Sequence, residues 1–384
     1  MAQSLPFATG LRWLAGLAAF YLFLGVAVVR AAELPADPPP GEPLAPEGVP
    51  VAEASAPHPS FELEARVISG FEYERERPSG AQTDPGDKEY GFQLDQARVG
   101  VSAELDRLRL NLSLELADAL SRNSGGGYDS PPYLRTATLE YRVARELRLT
   151  VGRYKRPFSR LALESAVDLP VLDRGLLNGL LVEDNQWGDR AVGMMASGRL
   201  DLAKLRWYLS LTNPAWSSSL RSDGLDVIGR VQLSLAKGLT LGLNGGYKHL
   251  RLAGPGSGTH NFGFGGDIGW KLADARIVLE GSYADLPFET GRPRGFGALL
   301  LVDYELELRA DWALQPVAFV ELADADAKIS QTESMKLAFG VNLLAPGGFR
   351  VLPQLSLVRS VGNTSQLNPW LEGETFSLIL SLAL

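Results

Sequence analysis

From Phe61 onward the chain alternates. In "FELEARVISGFEY" Phe61, Leu63, Ala65, Val67, Phe71 and Tyr73 take one parity, and Glu62, Glu64, Arg66, Glu72 and Glu74 take the other. "RLRLNLSLEL" repeats the pattern, with Leu108, Leu110, Leu112, Leu114 and Leu116 set against Arg109, Asn111, Ser113 and Glu115. A period of two puts successive side chains on opposite faces of an extended strand, which no helix can do. The pattern returns in "LAKLRWYLSL", "DVIGRVQLSL", "NFGFGGDIGWK" and "ARIVLEGSY" and ends in "ETFSLILSLAL", making sixteen segments of about 9–15 residues. A chain with this patterning is all-β.

The joints between segments fall into two classes. Short ones lie near Asp106, Arg145, Asp201, Gly238, Asp274, 309–312 and 346–348; long ones occupy 75–89, 119–132, 157–189, 213–225, 251–260, 285–294, 323–332 and 360–372. Seven short and eight long joints alternate strictly and supply the fifteen that sixteen strands need. Short turns at one rim and long loops at the other predict a 16-stranded antiparallel up-and-down transmembrane β-barrel of the outer-membrane type. A soluble sandwich or propeller would not divide its loops in this way, nor keep a polar face on nearly every strand. A barrel this wide cannot be filled by side chains, so its inner face meets water. Tyr133, Trp207, Tyr247, Trp270, Tyr283 and Trp312 fall near strand ends, as interfacial girdles do.

Ahead of the barrel stand two segments of other kinds. Arg12 and the apolar run Leu14–Val29, followed by "VRAA", read as a signal peptide over residues 1–32, the run being short for a bilayer-spanning helix. Residues 33–60 hold nine prolines with neither structural period and read as a disordered periplasmic linker. The folded barrel is therefore expected over 61–384.

Several chemistries are excluded by composition. The chain has no cysteine and three histidines, His58, His249 and His260, so no metal, cofactor or catalytic residue is expected and an enzyme is disfavoured. His249 shares the lipid-facing parity of Leu241, Leu243 and Tyr247. A net charge of −8 and the lack of a basic recognition element argue against nucleic acid. The "GFGG" run precedes no helix; in a strand such glycines mark bulges or close approach.

Against this acidic background, "ELRLTVGRYKRPFSRLALES" (146–165) gathers Arg148, Arg153, Lys155, Arg156 and Arg160 around the end of the fifth strand. "VGRYKRPFSR" (151–160) resembles a stretch of the phosphate-selective porin O and P family, and "WGDRAVGMMASG" (187–198) and "LQPVAFVELAD" (314–324) are similar to two of its strands. "FGVNLL" (339–344) and "SLILSLAL" add to the resemblance, which runs in patches over about 90–384. It implies a trimeric 16-stranded channel for small anions, phosphate among them, with the third long loop (157–189) folded into the pore. The sequence departs from the family pattern in ending at Leu384 rather than Phe or Trp, and the proline-rich segment cannot form the N-terminal coiled coil of some relatives.

The expectation that follows is a constriction with two charged sides. Arg148, Arg153, Lys155, Arg156 and Arg160 form the basic side, and Glu164, Asp168, Asp173, Glu183, Asp184 and Asp189 of the loop form the acidic side. Confined water between them would feel a strong transverse field. For Arg156 and Arg160, at the rim, bridging to headgroups or loop carboxylates is the alternative. Arg109, Arg142, Lys204, Arg206, Arg230 and Lys248 are read as further lumen-facing bases, on a wall whose basic and acidic positions balance. Such a wall supports a porin for small hydrophilic solutes better than strict phosphate selection. The expected partners are outer-membrane lipid and lipopolysaccharide, small inorganic anions or other small solutes, two further copies of the chain in a homotrimer, and the barrel assembly machinery acting on strand 374–384. The alternative reading is a non-conducting structural or adhesive barrel.

Overall fold

The computed structural model describes residues 59–77, 87–117, 134–214, 220–221, 224–252, 258–287, 293–309, 311–329, 332–361 and 372–383. The expected signal peptide and all of the linker except Pro59 and Ser60 lie outside them, as do Tyr133 and Leu384.

Sixteen long strands are present among the described residues: β1 (Ser60–Arg77), β2 (Asp87–Leu105), β3 (Leu108–Glu115), β4 (Leu134–Ala144), β5 (Leu147–Lys155), β6 (Arg190–Leu200), β7 (Leu205–Thr212), β8 (Asp226–Ala236), β9 (Leu239–Leu252), β10 (Gly258–Leu272), β11 (Ala275–Asp285), β12 (Arg294–Tyr304), β13 (Ala313–Asp324), β14 (Glu333–Leu344), β15 (Phe349–Ser360) and β16 (Glu372–Ala383). Two further pieces, Leu220–Arg221 and Leu306–Glu307, extend the pairing beside β9 and β13. Each long strand pairs antiparallel with its sequence neighbour. β16 returns to β1, from Arg66↔Ala383 to Arg77↔Glu372, so the sheet closes without an edge.

The alternation is inverted relative to a water-soluble sheet. Thr138, Thr150, Ser210, Asn244, Asp267, Glu280, Gln315, Asn342 and Gln354 are buried, whereas Phe92, Val151, Met194, Leu243, Phe264, Phe339 and Val341 are exposed. Bare apolar side chains over a fully paired backbone are what hydrocarbon demands of a spanning sheet. Leu243→Arg, in the outward row of β9, is therefore expected to cost about 2–4 kcal/mol, read as the shift in urea unfolding from lipid vesicles.

Short turns close the strands at one end. Asp106, Lys204 and Ala273 take φ of 52°, 49° and 49°, the left-handed values that tight turns require. Lys204, read from the sequence as lumen-facing, stands in one of these turns: its amide donates to the Asp201 carbonyl at 3.0 Å, and β7 begins only at Leu205. At the other end the connections are longer, and residues 156–189 form the internal element that matters most for function.

This segment contains α1 (Arg160–Leu163) and a single π-helical stretch (Asn178–Asp184). Its apolar side chains bury themselves against inward-facing wall residues. Phe158, Leu177, Leu180, Leu181 and Trp187 cluster with Ile228, Ala284, Leu286 and Ala323. Leu161, Leu169 and Val171 meet Val278, Leu299, Leu301, Val317 and Phe319. Ala166 and Leu172 reach Ile68, Leu352 and Ile379. Among the described residues, no helix is long and apolar enough to cross a membrane.

Candidate functional site

Polar side chains on the inner wall satisfy the segment's backbone, which would otherwise carry costly unpaired groups. Ser159 caps α1 by accepting from the Ala162 amide at 3.0 Å, and the Leu161 amide donates to Glu280 at 3.0 Å. The Arg350 guanidinium donates to the carbonyls of Val167 and Leu169. Asn342 and Gln354 both donate to the Pro170 carbonyl, at 2.7 and 2.6 Å. Glu321 accepts from the amides of Leu176 and Leu177 at 2.6 and 2.9 Å. Lys248 donates to the carbonyls of Asn185 and Gln186 at 2.7 and 2.8 Å and stands 4.6 Å over the Trp187 ring. The Trp187 indole N–H in turn donates to the Asp285 carbonyl at 2.9 Å.

The seat beneath these rings is made of glycine. A Cβ on Gly246 would stand 3.0 Å from Trp187, and one on Gly263 would stand 3.0 Å from Phe158. The "GFGG" run thus marks close approach, here of two aromatic rings to the wall.

Because the segment lies mainly against β8–β16, open space remains towards β1–β6. A cavity of about 340 Å³ is lined by Glu115, Arg135, Arg153, Lys155, Arg174, Glu183, Asp189 and Arg190. A second, of about 180 Å³, shares Arg190 and is lined by Glu64, Arg66, Arg98, Asn111 and Thr136. A third, of about 330 Å³, shares Arg174 and runs towards the long-loop end past Glu72, Glu74, Gln93, Asp95 and Asp173.

These shared residues join into a basic band. Lys155 has Arg174, Arg190 and Arg135 as electrostatic neighbours, opposed by Asp189. Arg190 faces Arg135, Arg98 and Arg153, and Arg66 faces Arg98. Glu115 offsets part of this charge, pairing with Arg98 at 2.9 Å and Arg135 at 3.2 Å. Arg66 donates to Ser165 at 2.8 Å, and Lys155 donates to the Ala162 carbonyl, so wall and segment meet at this level. Burial, together with neighbouring Arg98, draws the pKa of Arg174 below its ordinary value, while Glu183 and Glu164 act to raise it. Among the described residues, Nε of Arg66, Arg135 and Arg153 is buried and finds no acceptor. Forked donors in confined water are suited to passing oxyanions.

The structure distributes the residues singled out from the sequence over several places. Arg153 and Lys155 share the central cavity with Glu183 and Asp189. Tyr154 and Lys155 are neighbours on β5, yet both reach inward contents, Ser210 and Ala162; Gly152, shortly before them, takes φ 126°. Arg148 sits near the short-turn end, paired with Glu140 at 3.2 Å, far along β5 from Lys155. Arg156 does not face the open space: its side chain is 1% exposed and pairs with Asp226 at 2.8 Å. Arg160 crosses to the far wall, 2.9 Å from Thr240 and 3.4 Å from Asp267.

The loop acids mostly face the same far wall. Glu164 pairs with Arg276 at 3.0 Å and Asp173 with Lys336 at 2.5 Å, while Asp168 lies in the field of Arg350 and Arg66. Asp184, at the end of the π-helical stretch, is exposed. Of the remaining lumen-facing bases, Arg230 is buried against Asp267 at 2.6 Å and Lys248 is buried beneath the segment. Arg109, Arg142 and Arg206 are exposed, Arg109 donating to Asn111 at 3.1 Å and Arg142 lying 3.6 Å from Glu104.

Arg135, Arg174 and Arg190 were missed as bases of the band. A register shift between Ser113 and Leu114 moves Arg135 out of simple alternation. Arg174 and Arg190 are recognisable only once the segment is folded back. One energetic consequence concerns Arg156. Replacing it with alanine removes a buried, charge-assisted hydrogen bond to Asp226, so Arg156→Ala is expected to cost about 2–3 kcal/mol, measured as a lowered midpoint of heat-dependent gel migration.

Comparisons with known proteins follow the same lines. No curated protein matches the chain. Among solved structures, the anion-selective porin from Comamonas acidovorans is similar at 13% identity and TM-score 0.60, with 85% of this chain and 100% of that one covered. The outer membrane channel DcaP of Acinetobacter baumannii is similar at 10% identity and TM-score 0.58, covering 85% and 97%. OmpT of Vibrio cholerae, in trimer form, is similar at 13% identity and TM-score 0.56, covering 85% and 99%. At these identities the likeness establishes the barrel fold. The family model for phosphate-selective porin O and P matches residues 69–277, more than half of the chain's 384 residues. With its closed sixteen-stranded wall, its inward segment and this match, the chain is an outer-membrane porin and belongs to the phosphate-selective porin O and P family.

Proposed function

We propose that the chain is a passive channel for small hydrophilic solutes whose path runs between the segment 156–189 and the wall β1–β6, with a modest preference for anions. The observation that carries this reading is the continuous band Arg66, Arg98, Arg135, Arg190, Arg153, Lys155 and Arg174 around linked cavities. In a water-filled passage with low-dielectric walls, such a band concentrates anions. Phosphate and carboxylate solutes match its forked donors. The acidic approach formed by Glu72, Glu74 and Asp95 works against free anions entering from the long-loop side, so the preference is weaker than the band alone would set. No catalytic step is part of this proposal.

The same reading includes export by a cleaved signal peptide at 1–32, a periplasmic tether at 33–60, insertion by the barrel assembly machinery through β16, assembly as a homotrimer and contact with lipopolysaccharide. The trimer form of Vibrio cholerae OmpT is the precedent among similar structures.

Single-channel recording in a planar bilayer tests the function. Stable conductance with an anion-side reversal potential in a KCl gradient, reduced by millimolar phosphate, is expected. Because acid and base sit at different depths, the current is also expected to rectify, and Glu72→Gln with Glu74→Gln and Asp95→Asn is expected to weaken the rectification. A folded barrel that carries no current would overturn the proposal in favour of a structural role.

A further inference from the structure

Resting on the channel reading, we infer that the passage holds a two-pole station for small zwitterions with an apolar body, the class of amino acids and short peptides. Asp95 and Glu72 take the amine, and Arg174 and Arg98 take the carboxylate.

A defect in the sheet aims the acid pole. Register runs Ile68↔Gln96 and then Ser69↔Leu94, so Asp95 is an extra residue in β2, a bulge. Alternation counted back from the inward-facing Arg98 would point Asp95 at lipid. The bulge resets the parity, and Gln93, Asp95 and Gln96 all line the cavity of about 330 Å³ that Glu72 also lines. Gln93 donates to Glu72, which lies in the fields of Glu74, Asp95 and Asp173. Asp173 is offset by Lys336. Among the described residues, Asp95 has neither an ion-pair nor a hydrogen-bond partner.

The base pole begins three residues further along the same strand, a span of about 10 Å. Arg98 donates to Gln96 at 3.1 Å and pairs with Glu115 at 2.9 Å. Arg174, on the segment, is held by donating to the carbonyls of Leu161 and Glu164, both at 2.9 Å, and lies in the field of Arg98. It lines both this cavity and the central one, so it stands where acid gives way to base. Arg66, the register partner of Arg98, has a buried Nε with no acceptor among the described residues.

Beside the poles the cavity is apolar. Ile68, Leu352 and Ile379 pack with Ala166 and Leu172, and all five line it. Apolar surface of that kind attracts an alkyl group and does nothing for a bare anion. The two poles also select by rejection. A bare anion is repelled by Asp95 and Glu72 before it reaches Arg174, and a bare amine is repelled by the band beyond. A solute carrying both charges satisfies both poles, whereas each half-molecule meets a like charge.

The test uses the full folded chain in neutral detergent and three probes of one shape: L-leucine, isocaproate, which lacks its amine, and isoamylamine, which lacks its carboxylate. Saturation-transfer NMR reads the binding of each. Leucine is expected to bind about tenfold more tightly than either half, the equivalent of one charge-assisted contact. Asp95→Asn/Glu72→Gln is expected to lose that advantage for leucine without weakening isocaproate. Arg174→Gln is expected to weaken leucine and isocaproate while sparing isoamylamine, and misfolding cannot produce so crossed a pattern. Leucine binding no tighter than that of its halves would overturn the inference. So would an acid-pole variant that weakens isocaproate as much as leucine. Single-channel recording of the same samples in KCl separates the two readings. Current without a leucine preference removes the station alone, and a leucine preference without current removes the channel and leaves the station.

Discussion

Exchanging Arg135 and Arg190 for glutamate is expected to move the reversal potential in a KCl gradient from the anion side to the cation side. Both side chains line the central cavity, and each lies in the field of the other. A unit charge about 8 Å from a passing ion contributes about 0.5 kcal/mol in a water-like dielectric. The double reversal changes four units, about 2 kcal/mol, which salt screening reduces to roughly a tenfold swing in the permeability ratio. Arg148→Glu is the comparison. That residue is paired with Glu140 near the short-turn rim, and its reversal is expected to move the potential much less. Equal shifts from both variants would mean that selectivity is set at the rim and not in the band.

Releasing the segment is expected to have a larger effect on conductance than any charge change. Phe158 and Trp187 are fully buried in one cluster, their ring centroids 5.3 Å apart, over the glycine seat. Truncating a buried aromatic to alanine costs about 3–5 kcal/mol. Phe158→Ala/Trp187→Ala should therefore free the segment at its β8–β11 end, raise single-channel conductance severalfold and reduce anion preference. The outward wall is untouched, so heat-dependent gel migration should still report a folded barrel. Unchanged conductance in such a barrel would mean that the polar tethers through Glu321, Arg350 and Gln354 hold the segment on their own.

Different parts of this molecule were legible in the sequence for different physical reasons. The strand rows were readable because lipid outside and water inside impose opposite demands on adjacent positions. "RLRLNLSLEL" records both demands directly. The two classes of connection showed the barrel's polarity in the same direct way. Lys204 was read into a strand because the residue of a tight turn can continue an alternation by chance. The band was only partly readable, since its members come from β1, β2, β4, β5, β6 and the segment, and no local pattern ties Arg66 to Arg174. The acids of the segment looked like one side of a field because their charge is visible in sequence. Their partners Arg276 and Lys336, more than a hundred positions away, are not.

The tethers of the segment have a consequence for the order of assembly. They land almost entirely on strands synthesised after it. Glu321 lies 145 positions beyond Leu176, Arg350 lies 181 beyond Leu169, and Gln354 lies 184 beyond Pro170. Contacts so distant along the chain form slowly, because loop closure must precede any gain from them. During biogenesis the segment therefore has no resting place until the second half of the wall stands in register behind it. The narrow passage is the last feature to be made. A conductance value from a single molecule thus also reports whether that wall was completed without a slip of one residue.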